Sequence, residues 1–460
     1  AEVYFFALLG ANSFFWLAVI CWVGYFYYLL NRAPTMTILH KKLIKIGCLA
    51  VIVSALFGCS SEQPSTDVRP QSASNNAEQA ATVKSAVDSE ARVAMLELLS
   101  TIEQVQAKFL QPANGIHTAD DVAEGQKALA HILETALYFW LESDPDRPVF
   151  KPYVTASRKL LGDNPDSIYY FASIRDNRSY KISGNIGAAV FTSFTIEAGS
   201  FDGHAGRRSV AALKDNDMVI AGDGSYEIIV SRDKPASGNW LPLEDGASQI
   251  TTRHYHEAKL SVAADESAQM DIRIEALDPD PLKPNGGDQE VANHLRYVAN
   301  FVREHGAMSL LQPTEEAVAP LGWYSLVPNQ FGQPGQWVSA SGDQAYGNTH
   351  AYYNAANYEL AADEALIIEG RLPPARFINV VLWNRYMQSY DFANRQISLN
   401  QKQIQYEDDG SFKIIVAHQD PGLPNWLDTE GRPTGNMYWR FVFPTEDPQA
   451  PTTRVVKFSE

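Results

Sequence analysis

The sequence predicts a mainly β protein with helical segments (α+β), in which two jelly-roll-like antiparallel β-sandwich domains are preceded and linked by helices. Two observations predict this fold. Short stretches of alternating apolar and polar residues are separated by Asp-Gly and Pro-containing turns, which is typical of antiparallel strands. Residues 222–241 also return as residues 408–427 at an offset of 186 residues, and 10 of the 19 positions from 223 onward are identical. Such a repeat predicts two copies of one domain.

The repeat also sets the bounds of the two copies. Upstream of the matched hairpin, Phe191 corresponds to Phe377 at the same offset. We therefore place the first copy at residues 163–276 and the second at residues 345–460. Because turn signals separate successive short strands, each copy is expected to be an antiparallel meander that folds as a sandwich or jelly roll.

Residues 91–162 are predicted to be helical. Apolar side chains recur at helical spacing over 95–109. Thr118 followed by Asp121 is typical of a capping box and predicts the start of a second helix. A third, short helix is predicted over 153–161.

The segment between the copies, residues 277–344, is predicted to be a linker that contains a helix. It opens with two Asp-Pro pairs, which favour turns, and then shows one apolar face over 288–305.

Residues 36–58 have the pattern of a bacterial signal peptide. Three lysines precede an apolar stretch, and residues 56–59 (Leu-Phe-Gly-Cys) resemble the lipobox of bacterial lipoproteins. In such proteins the cysteine is lipidated and becomes the mature N-terminus, so Cys59 is the predicted lipidation site and the membrane is a predicted partner. Ser60 follows the cysteine, which by resemblance to Gram-negative sorting rules favours an outer-membrane lipoprotein that faces the periplasm.

Two further segments flank this signal. Residues 1–35 contain an uncharged apolar run long enough to cross a bilayer, and we interpret them as upstream sequence outside the natural protein, or alternatively as a transmembrane helix. Residues 59–90 are rich in Ser, Ala and Gln, so they are predicted to be a lipidated tether without a core.

Composition excludes several classes of function. The net charge is −17 and no Lys/Arg-rich run interrupts it, so a nucleic-acid partner is not expected. All three cysteines lie at or before residue 59, which leaves the predicted domains without disulfides or thiolate sites. No P-loop, nucleophile elbow or dinucleotide fingerprint is present, and no cofactor is expected.

Several longer motifs resemble one family. Residues 162–170 (GDNPDSIYY), 363–377 (DEALIIEGRLPPARF) and 420–431 (DPGLPNWLDTEG) are similar to domain-of-unknown-function family 1214 (DUF1214). The resemblance covers most of 163–460 and is strongest in the second copy. It implies a jelly-roll-like β-sandwich, commonly in exported bacterial proteins, and it implies no reaction.

Candidate ligand-binding residues concentrate in the second copy. The Asn-Trp-Leu triplet at 425–427 could stack a sugar ring on its indole, although the same triplet at 239–241 favours a structural role in both copies. Together with polar and aromatic residues upstream, it gives the predicted ligand-binding set: Arg376, Trp383, Asn384, Arg385, Asn425 and Trp426.

His418 and Asp420 are the candidate catalytic residues. They stand where the first copy has Arg232 and Lys234, in a hairpin that is otherwise matched. Because histidine titrates near neutral pH, a His-carboxylate pair could act as a general acid–base. The alternative is a solvated loop after a strand.

A metal site is not expected. The two imidazoles of His254 and His256 have a spacing compatible with metal binding on one face of a strand. The second copy, however, has Phe441 and Phe443 at the matching positions, so this face is predicted to be core.

These patterns predict a cell-envelope lipoprotein that binds a glycan or another polar envelope ligand. One alternative is a carbohydrate-active or other acid–base enzyme with its site in the second sandwich. The other is a structural module for protein–protein interaction.

The lipobox gives the first testable prediction. Radiolabelled palmitate should be incorporated into the wild-type protein, and Cys59→Ser should abolish the label because serine lacks the thiol that accepts the lipid. Equal labelling of wild type and variant would contradict the assignment.

Overall fold

A computed structural model gives the fold for residues 88–199, 201–265, 267–282, 286–310, 322–337 and 351–457. The predicted signal peptide, Cys59 and nearly all of the tether lie outside the described residues. Within the described ranges, no helix combines the length and the hydropathy that a bilayer span requires.

The described residues form three helices and nineteen strands, so the predicted mainly-β fold with helical segments is confirmed. The helices are α1 (Glu90–Phe109), α2 (Ala119–Trp140) and α3 (Gly287–Ser309). The strands that precede α3 are β1 (Lys151–Pro152), β2 (Ser167–Ser173), β3 (Tyr180–Asn185), β4 (Phe191–Ala198), β5 (Arg208–Lys214), β6 (Ser225–Ser231), β7 (Asn239–Pro242), β8 (Ala247–Tyr255) and β9 (Ile272–Ala276). Those that follow are β10 (Tyr324–Ser325), β11 (Gly335–Gln336), β12 (Ala351–Glu359), β13 (Glu364–Gly370), β14 (Phe377–Trp383), β15 (Ser398–Asn400), β16 (Phe412–Ala417), β17 (Trp426–Asp428), β18 (Thr434–Val442) and β19 (Thr452–Lys457).

The predicted capping box starts α2. Thr118 Oγ1 accepts from the backbone N–H of Asp121 at 3.1 Å, and Asp121 Oδ2 accepts from the backbone N–H of Thr118 at 2.9 Å. These two bonds satisfy donors that the first turn of a helix leaves free.

The third predicted helix, over 153–161, is wrong. This segment is a turn closed by a bridge between Thr155 and Arg158. The Lys159 ammonium donates to the carbonyls of Ser389 and Tyr390 across the molecule. These long-range contacts, which a local sequence pattern does not report, accompany a different backbone.

Each copy is a sandwich of two sheets. In the first copy the inner sheet, which faces the other copy, has the order β1-β2-β8-β4-β5, and the outer sheet has the order β7-β6-β3-β9. The second copy has an inner sheet β10-β12-β18-β14-β15, with β11 added on β12, and an outer sheet β17-β16-β13-β19. The order β2-β8-β4-β5 therefore matches β12-β18-β14-β15, and the outer sheets match strand for strand. The edge strands β1 and β10 differ, since β1 pairs antiparallel with β2 and β10 pairs parallel with β12.

The predicted antiparallel meander is wrong within each sandwich. Most strands that are neighbours in a sheet are not consecutive in the chain, and the β6–β7 and β16–β17 pairs are parallel. The chain crosses between the two sheets, so turn signals between strands do not report which strands pair.

Strand alternation divides β8 between two environments. Ile250 and His254 lie on the side of the first copy's own core, where the ring of His254 lies 6.1 Å from that of Phe194. The alternate residues Thr251, Arg253 and Tyr255 occupy the opposite face of the sheet. That face turns toward the second copy.

The two inner sheets meet through aromatic contacts and an ion pair. Tyr255 stacks on Phe377 at 4.9 Å between ring centroids. The Arg376 guanidinium binds Asp215 of the first copy through two bonds, Nη1–Oδ1 at 2.8 Å and Nη2–Oδ2 at 2.7 Å. Arg376, predicted to bind a ligand, thus holds the copies together.

The helices contact both copies. Phe139 of α2 stacks on Phe171 of β2 at 4.2 Å, and Phe109 of α1 stacks on Tyr386 of the second copy at 4.7 Å. Both pairs belong to one apolar cluster with residues of α3 such as Phe301. The helices therefore form a common support for the sandwiches.

The Asn-Trp-Leu triplets occupy equivalent places. The Asn425 side chain donates to the carbonyls of Gln405 (2.7 Å) and Lys413 (2.9 Å) and accepts from the Gln405 N–H (2.8 Å). Asn239 makes the same three bonds at the matching positions of the first copy. The two asparagines differ in backbone, since Asn425 has φ of +59° whereas Asn239 is not among the positive-φ residues.

This difference predicts unequal costs of substitution. Asn239→Ala should lower the free energy of unfolding by about 1–3 kcal/mol, because backbone groups lose their partners. Asn425→Ala should cost about 1 kcal/mol more, because alanine is strained in the left-handed region. Denaturant titration of both variants measures the difference, and Asn425→Gly should recover the additional loss but not the rest. Equal losses for the two alanine variants would contradict this assignment.

Candidate functional site

A cavity of about 380 Å³ lies between the inner sheets of the two copies. Strands β2 and β8 form one side, β12, β14 and β18 form the other, and the segment before β2 closes one end. Nine of its twenty lining residues are aromatic, which is a typical composition for a small-molecule pocket. They are Tyr153, Tyr169, Tyr255, Trp323, Tyr324, Trp337, Tyr353, Trp383 and Tyr438.

Each copy contributes the same cross-strand pair to the pocket. Arg253 on β8 lies opposite Tyr169 on β2, and Arg440 on β18 lies opposite Tyr353 on β12. These strands hold matching places in the two sheets. The pocket is therefore built around an approximate two-fold relation between the copies.

Arg440 is 5% exposed and is surrounded by pocket residues. Its guanidinium carbon lies 5.0 Å from the ring centroid of Trp383 and 4.8 Å from that of Tyr438. Nη2 donates to the carbonyl of Gly162 at 2.6 Å. Nη1 is buried and has no partner among the described residues. A cationic donor left in this state is costly, so it indicates a missing acceptor.

Trp323 supplies a second unused donor. Its indole Nε1 is buried and lacks a partner in the described part of the chain, as does the hydroxyl of Thr251 on the facing strand β8. The Trp323 ring lies 5.5 Å from that of Tyr353 and 5.7 Å from that of Tyr438. Unpaired polar atoms thus line both walls of an otherwise aromatic cavity.

Arg253 is better satisfied than Arg440. Its Nη1 donates to Thr195 Oγ1 at 3.2 Å. Burial alone would lower the pKa of Arg253, but the nearby Tyr255 and Glu197 raise it above its ordinary value, so the side chain stays charged. Burial also raises the pKa of Tyr169, which keeps its hydroxyl protonated as a hydrogen-bond donor.

The segment before β2 is shaped by a close approach at Gly162. This glycine has φ of +73°, and a Cβ there would lie 2.9 Å from the Trp383 ring. Next to it, the Asp163 carboxylate accepts from the backbone N–H of Ser389 at 2.8 Å and from the Ser389 hydroxyl. Burial raises the pKa of Asp163, while Lys159 and these bonds oppose the rise.

Asp166 anchors the same segment under the inner sheet of the second copy. Its two carboxylate oxygens accept from Asn379 (2.9 Å) and Asn400 (3.1 Å). Burial raises the pKa of Asp166 to about 6. The motif at 162–170 that carries the family resemblance therefore builds one end of the pocket and joins the two copies.

Of the predicted ligand-binding residues, Trp383 lines the pocket. Its Nε1 donates to the carbonyl of Asp163 at 2.9 Å, which leaves the ring as its contribution to the cavity. Arg385 instead binds Asp121 and Glu124 of α2, and Asn384 Oδ1 accepts from backbone N–H groups of its own turn.

The remaining predicted residues lie elsewhere. Trp426 is on the outer sheet, where Nε1 donates to the Ala417 carbonyl at 3.1 Å, as Trp240 Nε1 does to Ser231 in the first copy. Asn425 and Arg376 have the structural contacts described above. The structure therefore does not bring the predicted ligand-binding set together at one site.

His418 and Asp420 lie at the end of β16, away from the pocket lining. His418 Nδ1 is 2.6 Å from Thr429 Oγ1, and Nε2 is 3.4 Å from the Leu360 carbonyl. Asp420 Oδ1 accepts from the backbone N–H of Gly422 at 2.8 Å. Acid–base action by this pair stays a prediction.

His254 lies in the core of the first copy. Its ring nitrogens are 3.2 Å from Thr192 Oγ1 and 3.0 Å from Thr252 Oγ1, and burial lowers its pKa to about 3. Burial also lowers the pKa of His256. Among the described residues, no group of three His, Cys, Asp or Glu side chains could hold a metal ion.

Sequence reasoning missed the pair of arginines that the pocket contains. The signal was present, because Arg253 and Arg440 align in matched strands and a Tyr-Tyr pair occurs in both copies. Residues that face each other across a domain interface, however, resemble ordinary strand residues until the sheets are placed.

Fold and pocket define a tandem β-sandwich protein with a cavity between its two copies. Residues 172–259 and 345–446 match the family described as Protein of unknown function (DUF1214). The predicted resemblance is thereby confirmed, and the chain carries two DUF1214 regions, consistent with tandem copies. None of the curated proteins matches the chain.

A solved structure gives the same picture of the fold. An uncharacterized protein from Burkholderia cenocepacia is 26% identical, with a TM-score of 0.68 over 80% of this chain and 97% of its own. The VPA0106 protein from Vibrio parahaemolyticus is 13% identical, with a TM-score of 0.42 over 72% of this chain and 98% of its own.

The buried titratable groups predict a pH dependence of stability. Because His254 is held neutral in the folded state, its contribution to the free energy of unfolding is fully present above about pH 6.5 and is lost as the pH falls toward 3. Asp166 has the opposite sign, since its raised pKa favours the folded state as the pH falls from 6 toward 4. Denaturant titrations between pH 6.5 and 4 should show a shallower loss of stability in His254→Gln than in wild type.

In Asp166→Asn the loss of stability between pH 6.5 and 4 should be steeper than in wild type. The variant lacks the protonation of Asp166, which offsets the destabilising effect of His254. Each change in slope is bounded by about 1.4 kcal/mol per pH unit. Parallel pH profiles for wild type and both variants would contradict the assignment.

Proposed function

We propose that this protein is a cell-envelope lipoprotein that binds a small organic molecule in the pocket between its two copies. One observation carries the proposal: the aromatic cavity contains buried donors, Arg440 Nη1 and Trp323 Nε1, that lack partners in the described structure. A bound ligand would supply the acceptors and offset the cost of leaving such groups unpaired.

The chemistry of the lining supports binding rather than proton transfer. Arg253 stays charged, and the raised pKa values of Tyr169 and Tyr438 keep their hydroxyls protonated near neutral pH. The Asp163 carboxylate is engaged by Ser389. These groups therefore offer fixed donors and ring faces, which orient a ligand.

The expected localisation in the cell envelope is compatible with ligand binding. Lipidation at Cys59 and the tether over 59–90 would place the pocket in the periplasm at the outer membrane, within reach of glycans and other polar envelope molecules. Aromatic faces stack on sugar rings as well as on aromatic ones, so a glycan fragment remains within the proposed range of ligands.

The proposal is tested by filling the pocket. Thr251 lies on the pocket face of β8, and Thr251→Phe would occupy part of the cavity. It removes the Thr251 hydroxyl but leaves the donors of Arg440 and Trp323 in place. Wild-type protein should gain thermal stability with at least one member of a panel of envelope sugars, sugar acids and aromatic acids. Thr251→Phe should lose that gain because ring and ligand compete for one volume.

Thr434→Phe provides the matched control, since Thr434 is exposed at the start of β18. It should respond to ligand as wild type does. Native mass spectrometry of the purified protein should show the same adduct in wild type and control and not in Thr251→Phe. A ligand that stabilises all three proteins equally would place binding outside this pocket and contradict the proposal.

A further inference from the structure

We infer that the ligand of this pocket carries an anionic, carboxylate-type group that binds at Arg440 and Trp323, beside a ring that packs among the aromatic side chains. The inference rests on the proposed function and deepens it by naming the class of ligand. Three independent features of the lining lead to it.

The first feature is the sign of the charge. The lining contains two guanidinium groups, of Arg253 and Arg440, and one carboxyl group, of Asp163. Both oxygens of Asp163 are engaged by Ser389, and burial disfavours its negative charge. Aromatic cages can hold quaternary ammonium ions, but here a cation would meet the buried charge of Arg440, while the charge of Arg253 is opposed by the nearby Glu197. The pocket therefore favours an anion.

The second feature is where the free donors lie. Arg440 uses Nη2 on the Gly162 carbonyl and keeps Nη1 unpartnered. The Arg440 guanidinium carbon is 4.8 Å from the ring centroid of Tyr438. The Trp323 ring is 5.7 Å from the same Tyr438 ring, and its own N–H is unpartnered among the described residues. Both donors thus border one tyrosine. A carboxylate accepts several hydrogen bonds and matches two such donors better than a neutral carbonyl does.

The third feature is the shape of the space beside these donors. The rings of Trp323, Tyr353, Tyr438 and Trp383 form a continuous set of contacts, with centroid distances from 4.3 to 5.7 Å. A cavity of about 380 Å³ within such walls suits a molecule of one or two rings. The shared chemistry is a ring with a carboxylate, which an aromatic acid or a sugar acid can supply.

Calorimetric titration with matched probes tests the inference. The probes are 2-naphthoate, its neutral counterpart 2-naphthamide, and the methyl glycosides of glucuronic acid and of glucose. At least one acid should bind about tenfold or more tightly than its neutral counterpart. Preference for the naphthoate pair indicates an aromatic acid as the natural class, and preference for the glucuronate pair indicates a sugar acid.

Variants assign the effect to residues. Arg440→Gln should weaken binding of the preferred acid by about tenfold or more and leave its neutral counterpart nearly unchanged. Arg253→Gln is the matched control at the equivalent position, where Nη1 already binds Thr195, and it should weaken the acid less. If Arg440→Gln does not fold, Trp323→Phe replaces the indole with a smaller aromatic ring that has no N–H donor, and it should still weaken binding of the acid more than binding of its neutral counterpart.

The outcomes separate this inference from the proposed function. Equal affinity for acid and neutral probes, or failure of both acids at millimolar concentration, overturns the inference. The proposed function survives that result if another ligand stabilises wild type and not Thr251→Phe. The inference would also be overturned if Arg253→Gln weakened binding of the acid selectively and Arg440→Gln had no effect, because the acid would then bind the other half of the pocket.

Discussion

The face-to-face contact of the two inner sheets is the constraint on which the rest of the molecule depends. Tyr255 stacks on Phe377 across that contact, and the Arg376 guanidinium meets Asp215 through two parallel bonds. A partly buried ion pair loses hydration on both sides, so it is retained only where its geometry is good. Here it fixes the distance and rotation of one sandwich relative to the other. The cavity is a consequence of that placement, since neither sheet encloses it alone.

Polar side chains of the segment before β2 strengthen the contact by binding the second copy. The carboxylates of Asp163 and Asp166 accept hydrogen bonds from its backbone and side chains, and the Lys159 ammonium donates to two of its carbonyls. The helices add Phe139 and Phe109, which stack on rings of the first and second copy respectively. Buried polar groups that are fully engaged in this way favour one arrangement of the domains over others.

The sequence predicted what depends on local or repeated signals. The cap at Thr118 is a local exchange of hydrogen bonds, and the duplicated hairpin reports shared topology without any knowledge of distant contacts. The order of strands could not be predicted, because pairing partners lie far apart in the chain. The predicted ligand-binding residues do not lie together at one site, for a related reason. An arginine such as Arg376 or Arg385 is equally suited to a ligand or to a carboxylate of its own chain, and the choice is made by tertiary placement. Of that set, Trp383 lines the pocket with its ring while its N–H binds the Asp163 carbonyl.

The near two-fold relation between the copies bears on how a ligand can be oriented. A perfectly symmetric cavity would hold an asymmetric molecule in two equivalent poses, as happens at the dyad of many homodimers. Fusion of the two halves in one chain frees them to diverge. In this protein Arg253 is engaged by Thr195, whereas its counterpart Arg440 keeps one donor unsatisfied. This inequality gives the two poses different energies, so the cavity has a polarity that a dimer of identical subunits cannot have.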